Sequence, residues 1–183
     1  MFKHMLSKDK TWEIMSQELD SDSYEIVAAQ NEAPPRRQLE VLASDLNCKF
    51  SSEFLAHASG EYGGLYVAAK EDIWPRAKAF SVGPFWSFLY GVYTLNETPE
   101  IPDFMNIRKT CEEFQTTNNT KLVPFLKVIS DADCYCFDDS GAIHQWNHEL
   151  GESEILNISF FELLRRELHE LNDRKRKMQT NAV

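Results

Sequence analysis

The division into apolar and polar positions is sharpest between residues 122 and 171. Residues 122–129 form a run of branched and aromatic side chains around one Pro and one Lys, a composition that suits a pleated, half-buried strand. A second strand closes on Cys134, Tyr135, Cys136 and Phe137. Asp138-Asp139-Ser140-Gly141 then reads as a hairpin turn, with glycine available for a positive φ, and leads into a third strand over residues 142–146. An acidic loop follows. At Ser159 the apolar period changes from two to 3.6: Ser159 is placed as an N-cap with Glu162 three residues on, and Phe161, Leu164, Leu168 and Leu171 make the expected buried stripe.

Upstream the pattern is weaker. Residues 1–22 carry scattered apolar positions at Trp12, Ile14, Met15 and Leu19 and predict an appended helix, broken by Asp20-Ser21-Asp22-Ser23. Tyr24 to Ala28 suggest a short strand. Pro34 and Pro35 suit the first turn of a helix carrying Leu39, Leu42 and Leu46, and Phe50, Phe54 and Leu55 suggest a second, short helix ending near Gly60. Residues 65–69 and 85–93 read as strands, the latter with Gly91 as a bulge or a close backbone approach, and a helix is expected from about Asn106 to Thr116. Beyond Asn172 the chain is basic and is expected to fray. The prediction is an α+β protein: an N-terminal extension (1–22), a single domain (23–172) with an antiparallel or mixed sheet packed against helices, and a basic tail (173–183).

Composition narrows the function classes. With 183 residues and 43% hydrophobic content, the chain supports one ordinary core. A formal net charge of −10 and a pI near 5.0 argue against a general nucleic-acid binder, because neutralising phosphates needs a basic surface. No window is apolar enough for a transmembrane helix, so no membrane partner is expected. Cys48, Cys111, Cys134 and Cys136 are too few and too uneven for a disulfide framework, and residues 1–9 contain no apolar signal core; both point to the cytoplasm. Between Val128 and Leu164 there is no Lys or Arg, whereas Asp131, Asp133, Asp138, Asp139, Glu149, Glu152, Glu154 and Glu162 are acidic. That stretch steers a basic partner, or it is a set of solvated hairpin tips. Trp146 and Trp74, the latter in a loop before Pro75, are candidate aromatic anchors beside it.

No residue set reads as catalytic. Cys134 and Cys136 with His144 and His148 invite zinc, but alternation puts both thiols on one strand face, where small apolar packing is the simpler reading. No local signature surrounds a Cys–His nucleophile pair, Asp138 and Asp139 are ordinary turn formers, and Gly60 to Gly64 lacks the lysine and leading strand of a phosphate loop. Neither metal nor cofactor is expected, and the oligomeric state is not readable.

The order of elements from Leu122 through Cys134-Tyr135-Cys136-Phe137-Asp138, Ile143 to Trp146 and His148, and the helix entry Ser159-Phe160-Phe161-Glu162 resembles the C-terminal half of the SUKH superfamily. That family includes bacterial toxin-immunity proteins and fungal regulators of the killer-toxin-resistance type. The N-terminal half departs from the family pattern: Phe50-Ser51 stands where Leu-Pro is typical, and Ala58 to Gly64 only loosely replaces an Asn-Gly-Gly turn. The resemblance implies a non-catalytic protein-binding domain, in bacteria an immunity protein that neutralises a cognate toxin, commonly a nuclease with a basic surface. A regulatory or scaffolding module is the alternative it implies. The partner surface expected from the residues is Asp131, Asp133, Asp138, Asp139, Glu149, Glu152 and Glu154, with Trp146 and Trp74.

Overall fold

The computed structural model describes residues 9–28, 33–73, 90–95, 105–128 and 133–181. Among these residues seven strands make one antiparallel sheet, and neighbours in the sheet are neighbours in sequence: β1 (Tyr24–Ala28), β2 (Leu65–Ala69), β3 (Tyr90–Val92), β4 (Val123–Val128), β5 (Cys134–Phe137), β6 (Ile143–Asn147) and β7 (Glu152–Leu156). Helix α1 (Lys10–Glu18) precedes β1, α2 (Arg36–Asp45) and α3 (Ser52–Ala58) lie between β1 and β2, α4 (Ile107–Asn118) lies between β3 and β4, and α5 (Phe160–Asn181) follows β7. The α+β expectation therefore holds, with the sheet wholly antiparallel.

Local chemistry sets the helix starts. Asp9 accepts from Thr11 N–H at the head of α1, Ser51 from Phe54 N–H at α3, and Asn106 from both Arg108 and Lys109 N–H at α4. At α5 the capping box forms as the spacing predicts: Ser159 N–H donates to Glu162 at 2.8 Å, and Glu162 N–H reaches back to Ser159 Oγ at 3.4 Å. The buried stripe of α5 is Phe160, Leu163, Leu164, Leu168 and Leu171; Phe161, expected on the stripe, is only half-buried.

Two details of the sheet differ from the reading of the pattern. Gly91 keeps regular register against both Tyr66 and Lys127, and the irregularity falls instead between Pro124 and Leu126 in β4. Proline has no N–H to give a central strand, so a bulge at this point spares the ladder a missing donor. The segment taken as an acidic loop before Ser159 is β7, paired along its whole length with β6.

Alternation sends the two faces of the sheet into separate cores. Tyr135 and Phe137 join the main one, where Phe125 stacks on Phe137 at 4.0 Å and Phe54 meets Phe50, Phe125, Phe137 and Phe160 at 4.9–5.7 Å between ring centroids. Cys134, Cys136 and Trp146 face the other way, under Phe114 of α4 and Leu122.

Helices α1 and α5 pack against each other. Arg165 donates to Gln17 and Glu18, His169 meets Glu18, and the buried ammonium of Lys175 donates to Ser23 at 2.9 Å and Asp20 at 3.3 Å. The residues expected to fray as a basic tail thus continue α5 to Asn181. His57 of α3 is fully buried between Phe54 and Phe160, and its Nδ1 is 2.9 Å from Thr11 Oγ1.

Two outcomes follow from this packing. Leu164→Ala should cost about 2–5 kcal/mol in denaturant unfolding, and truncation after Asp173 should lower Tm because it removes Lys175 from the α1–β1 turn. Burial holds the pKa of His57 near 3, below its ordinary value of 6.5. The unfolded chain therefore binds a proton that the folded chain refuses, so stability falls as pH drops from about 6.5 toward 3, by up to about 1.4 kcal/mol per pH unit. Urea titrations between about pH 7 and 4.5 should show this slope in the wild type, and His57→Gln should flatten it.

Candidate functional site

Of the acidic residues singled out in the sequence, Asp133, Asp138, Asp139, Glu149, Glu152 and Glu154 lie on or next to β5, β6 and β7, and the structure divides them by what they do. Asp138 closes the β5–β6 turn: its Oδ1 accepts from Ser140 N–H, Ser140 Oγ–H and Ala142 N–H at 2.7–2.9 Å, and its Oδ2 lies 3.1 Å from His144 Nε2. Partial burial opposes its charge, but the bonds from Ser140, His144 and the Ala142 and Ser140 amides outweigh that and hold its pKa at about 2. Gly141 completes the turn at φ +90°, and a Cβ there would stand 2.8 Å from the Lys49 carbonyl oxygen. Asp133 is similarly occupied, accepting from His148 N–H at 2.9 Å and meeting its Nδ1 at 2.8 Å.

Asp139, Glu149, Glu152 and Glu154 are different: all four are exposed. Glu152 and Glu154 stand on β7, the last strand of the sheet, which among the described residues pairs with β6 on one side only. The β6–β7 turn is built by Asn147, whose Oδ1 accepts from Glu149 and Leu150 N–H, and by Gly151 at φ +65°. Leu150 at its tip is 70% exposed and Ile155 on β7 is 64% exposed, two of the largest apolar exposures among the described residues.

Trp146 is not part of this surface. It is 5% exposed, packed edge-on against Phe114 at 5.4 Å beside Cys134 and Cys136, so the strand face that buries the two thiols buries the indole too. Asp131 and Trp74 lie outside the described residues.

Beside β7 is an open groove of about 710 Å³ between the starts of α3 and α5 and the β5–β6 turn. Its walls include Ile143, Leu156 and Ile158, with the carboxylates of Glu53 and Glu162. Glu53 accepts from Phe161 N–H at 2.8 Å and so, with Glu162, supplies negative charge to the amide end of α5. A second groove of about 520 Å³ mixes Arg36 and Lys49 with Glu40 and has no single sign.

Three clusters could suggest chemistry. Cys134 Sγ and Cys136 Sγ are 3.6 Å apart, and burial, then the neighbouring thiol, pushes the Cys136 pKa up, away from the thiolate that metals and electrophiles require. Among the described residues no group of three or more His, Cys, Asp or Glu side chains is placed to hold a metal ion. Ser153 Oγ, His144 Nδ1 and Asp138 form a hydroxyl–imidazole–carboxylate chain with links of 3.2 and 3.1 Å. Neither Ser153 nor His144 lines either groove, and the chain ties the β5–β6 turn to the edge strand. Tyr135 donates to the buried carboxylate of Glu167 at 2.7 Å, with Arg166 3.1 Å from the same hydroxyl, which bonds β5 to α5. Glu167 is a buried acid that the sequence signals only by its place on the Leu164–Leu168–Leu171 stripe, where a carboxylate needs a partner.

Asp138 and Asp139 are thus neighbours with separate roles. Asp138→Ala should lower stability by about 1–2 kcal/mol, since it strips the turn of several bonds at once, while Asp139→Ala should leave thermal unfolding nearly unchanged. Equal effects in paired melts would show that the turn does not depend on that carboxylate.

Comparison with protein-family models, with curated proteins and with solved structures finds no match to this chain in any of the three.

Proposed function

We propose that this chain is a non-catalytic protein-binding domain acting as an immunity protein, whose partner is a cognate toxin domain with a basic surface. The observation that carries the reading is the exposed end of the sheet. Glu149, Glu152 and Glu154 face solvent on the β6–β7 hairpin beside Leu150 and Ile155, and Asp139 faces solvent on the β5–β6 turn at the other end of β6, in a stretch with no Lys or Arg from residue 129 to 163. Opposed charge speeds encounter and rejects wrong partners, and desolvated apolar side chains supply the contact that holds. The order of elements from Leu122 to Glu162, which resembles the SUKH pattern, favours neutralisation of a toxin over other kinds of binding. Inhibition would be occlusion: the acidic edge covers the basic surface with which a nuclease holds its substrate.

The reading does not need a membrane, and no helix among the described residues is long and apolar enough to cross one. Nor does it need a bound metal or nucleotide.

The experiment is coexpression in a growth assay with the C-terminal domain of any large secreted protein encoded beside this chain. Rescue of growth by the wild type, reduced by combined Asp139→Lys, Glu149→Lys, Glu152→Lys and Glu154→Lys, is the expected result. A variant carrying these four exposed changes should keep the wild-type Tm within a few degrees, which separates lost binding from lost folding. Failure of the wild type to rescue, or the lack of such a neighbour, overturns the immunity reading.

A further inference from the structure

Resting on that binding reading, we infer that the partner docks by adding a strand to the open edge of β7, and that this strand is basic on one face and apolar on the other. The backbone geometry comes first. β7 is five residues long, about 17 Å at a strand rise of about 3.4 Å per residue, and among the described residues no strand lies beside its outer edge. An edge of this kind offers a ladder of main-chain donors and acceptors, which gives affinity without regard to sequence, while alternate side chains give specificity.

The register then says what each face of the incoming strand meets. Glu152, Glu154 and Leu156 pair with Asn147, Gln145 and Ile143 and share their face. That face leads into the groove containing Ile143, Leu156, Glu53 and Glu162. Ser153 and Ile155 alternate onto the opposite face with Trp146 and His144, and Ile155, which also borders the groove, stands exposed. A strand added here therefore meets carboxylates on the groove side and an uncovered aliphatic side chain on the other. No Lys or Arg lies on β7, and among the described residues none lines the groove. Alternating Lys or Arg with Val or Ile is the pattern that satisfies both faces.

A second copy of this chain is the competing occupant, and charge argues against it. Antiparallel pairing of β7 with β7 over its full length would set Glu154 of each copy directly across from Glu154 of the other, and like charges directly across a ladder are destabilising. Acids on an edge are also a usual protection against self-pairing.

The test uses the full chain and a fluorescein-labelled seven-residue peptide of alternating Lys and Val, followed by fluorescence anisotropy at low salt. Two further peptides carry N-methyl groups on all Lys amides or on all Val amides; successive amides of a strand point to opposite edges, so each set blocks one edge only. The expected result is that the unmethylated peptide binds, one methylated peptide loses binding and the other keeps it. Combined Glu152→Gln and Glu154→Gln should weaken binding about tenfold or more, roughly 1.4 kcal/mol, whereas Glu40→Gln on α2 should not. No binding, equal binding of both methylated peptides, or no effect of the β7 pair overturns strand addition. Sedimentation showing a dimer dissolved by the β7 substitutions would give the edge to a second copy and also overturn it. The assay needs no toxin, so it fails separately from the growth rescue: rescue that survives loss of peptide binding would keep the immunity reading and refute this docking mode.

Discussion

The cluster of Phe54, Phe125, Phe137 and Phe160 is the contact on which the rest of the structure depends. It joins one residue from each of α3, β4, β5 and α5, elements spread over more than 100 positions of sequence, and so fixes where the two helices meet the sheet. Edge-to-face packing is directional, so the rings set orientation as well as burying area. With Phe160 seated, the first turn of α5 is placed beside Glu53 of α3, and the groove next to β7 exists because these two helix starts converge there. His57 rests on the same ring system, which explains how an imidazole is held with its Nε2 unpartnered. The packing around it offsets what an orphan polar atom costs.

Much of this was legible in the residues. The hairpin at Asp138 to Gly141, the capping box at Ser159, the assignment of Cys134 and Cys136 to one face and the helix near Asn106 each follow from a local rule, and local rules do not need the tertiary structure. β7 was missed because its burial comes from one side only: Glu152, Ser153, Glu154 and Ile155 are all exposed, so no period of two survives. The Asn147 to Gly151 turn was the available signal. Trp146 was misjudged as a surface anchor for the opposite reason. Its neighbours His148 and Glu149 are polar, and what covers it is Phe114, a residue more than 30 positions away on α4. Register against Cys134 decides its face, and register is a tertiary fact.

The acidic stretch likewise contains two populations that composition cannot separate. Asp133, Asp138 and Glu162 spend their oxygens on backbone amides, histidines and a hydroxyl, and their charge is part of the fold. Asp139, Glu149, Glu152 and Glu154 project into water. Long-range steering sums over both, because the field at a distance reads total charge.

The clasp between α1 and α5 has a consequence for how the chain is made. Glu18 and Arg165 are 147 positions apart, and Lys175 reaches Asp20 across 155. During synthesis α1 therefore leaves the ribosome long before its partner exists, and at about 5–20 residues per second the delay is on the order of ten seconds. Through that interval Ile14 and Met15, both buried in the finished protein, have no α5 to cover them. Until α5 is made, α1 has only the earlier elements to lean on, such as α3 through Thr11 and His57, and the clasp itself is among the last contacts the chain can form.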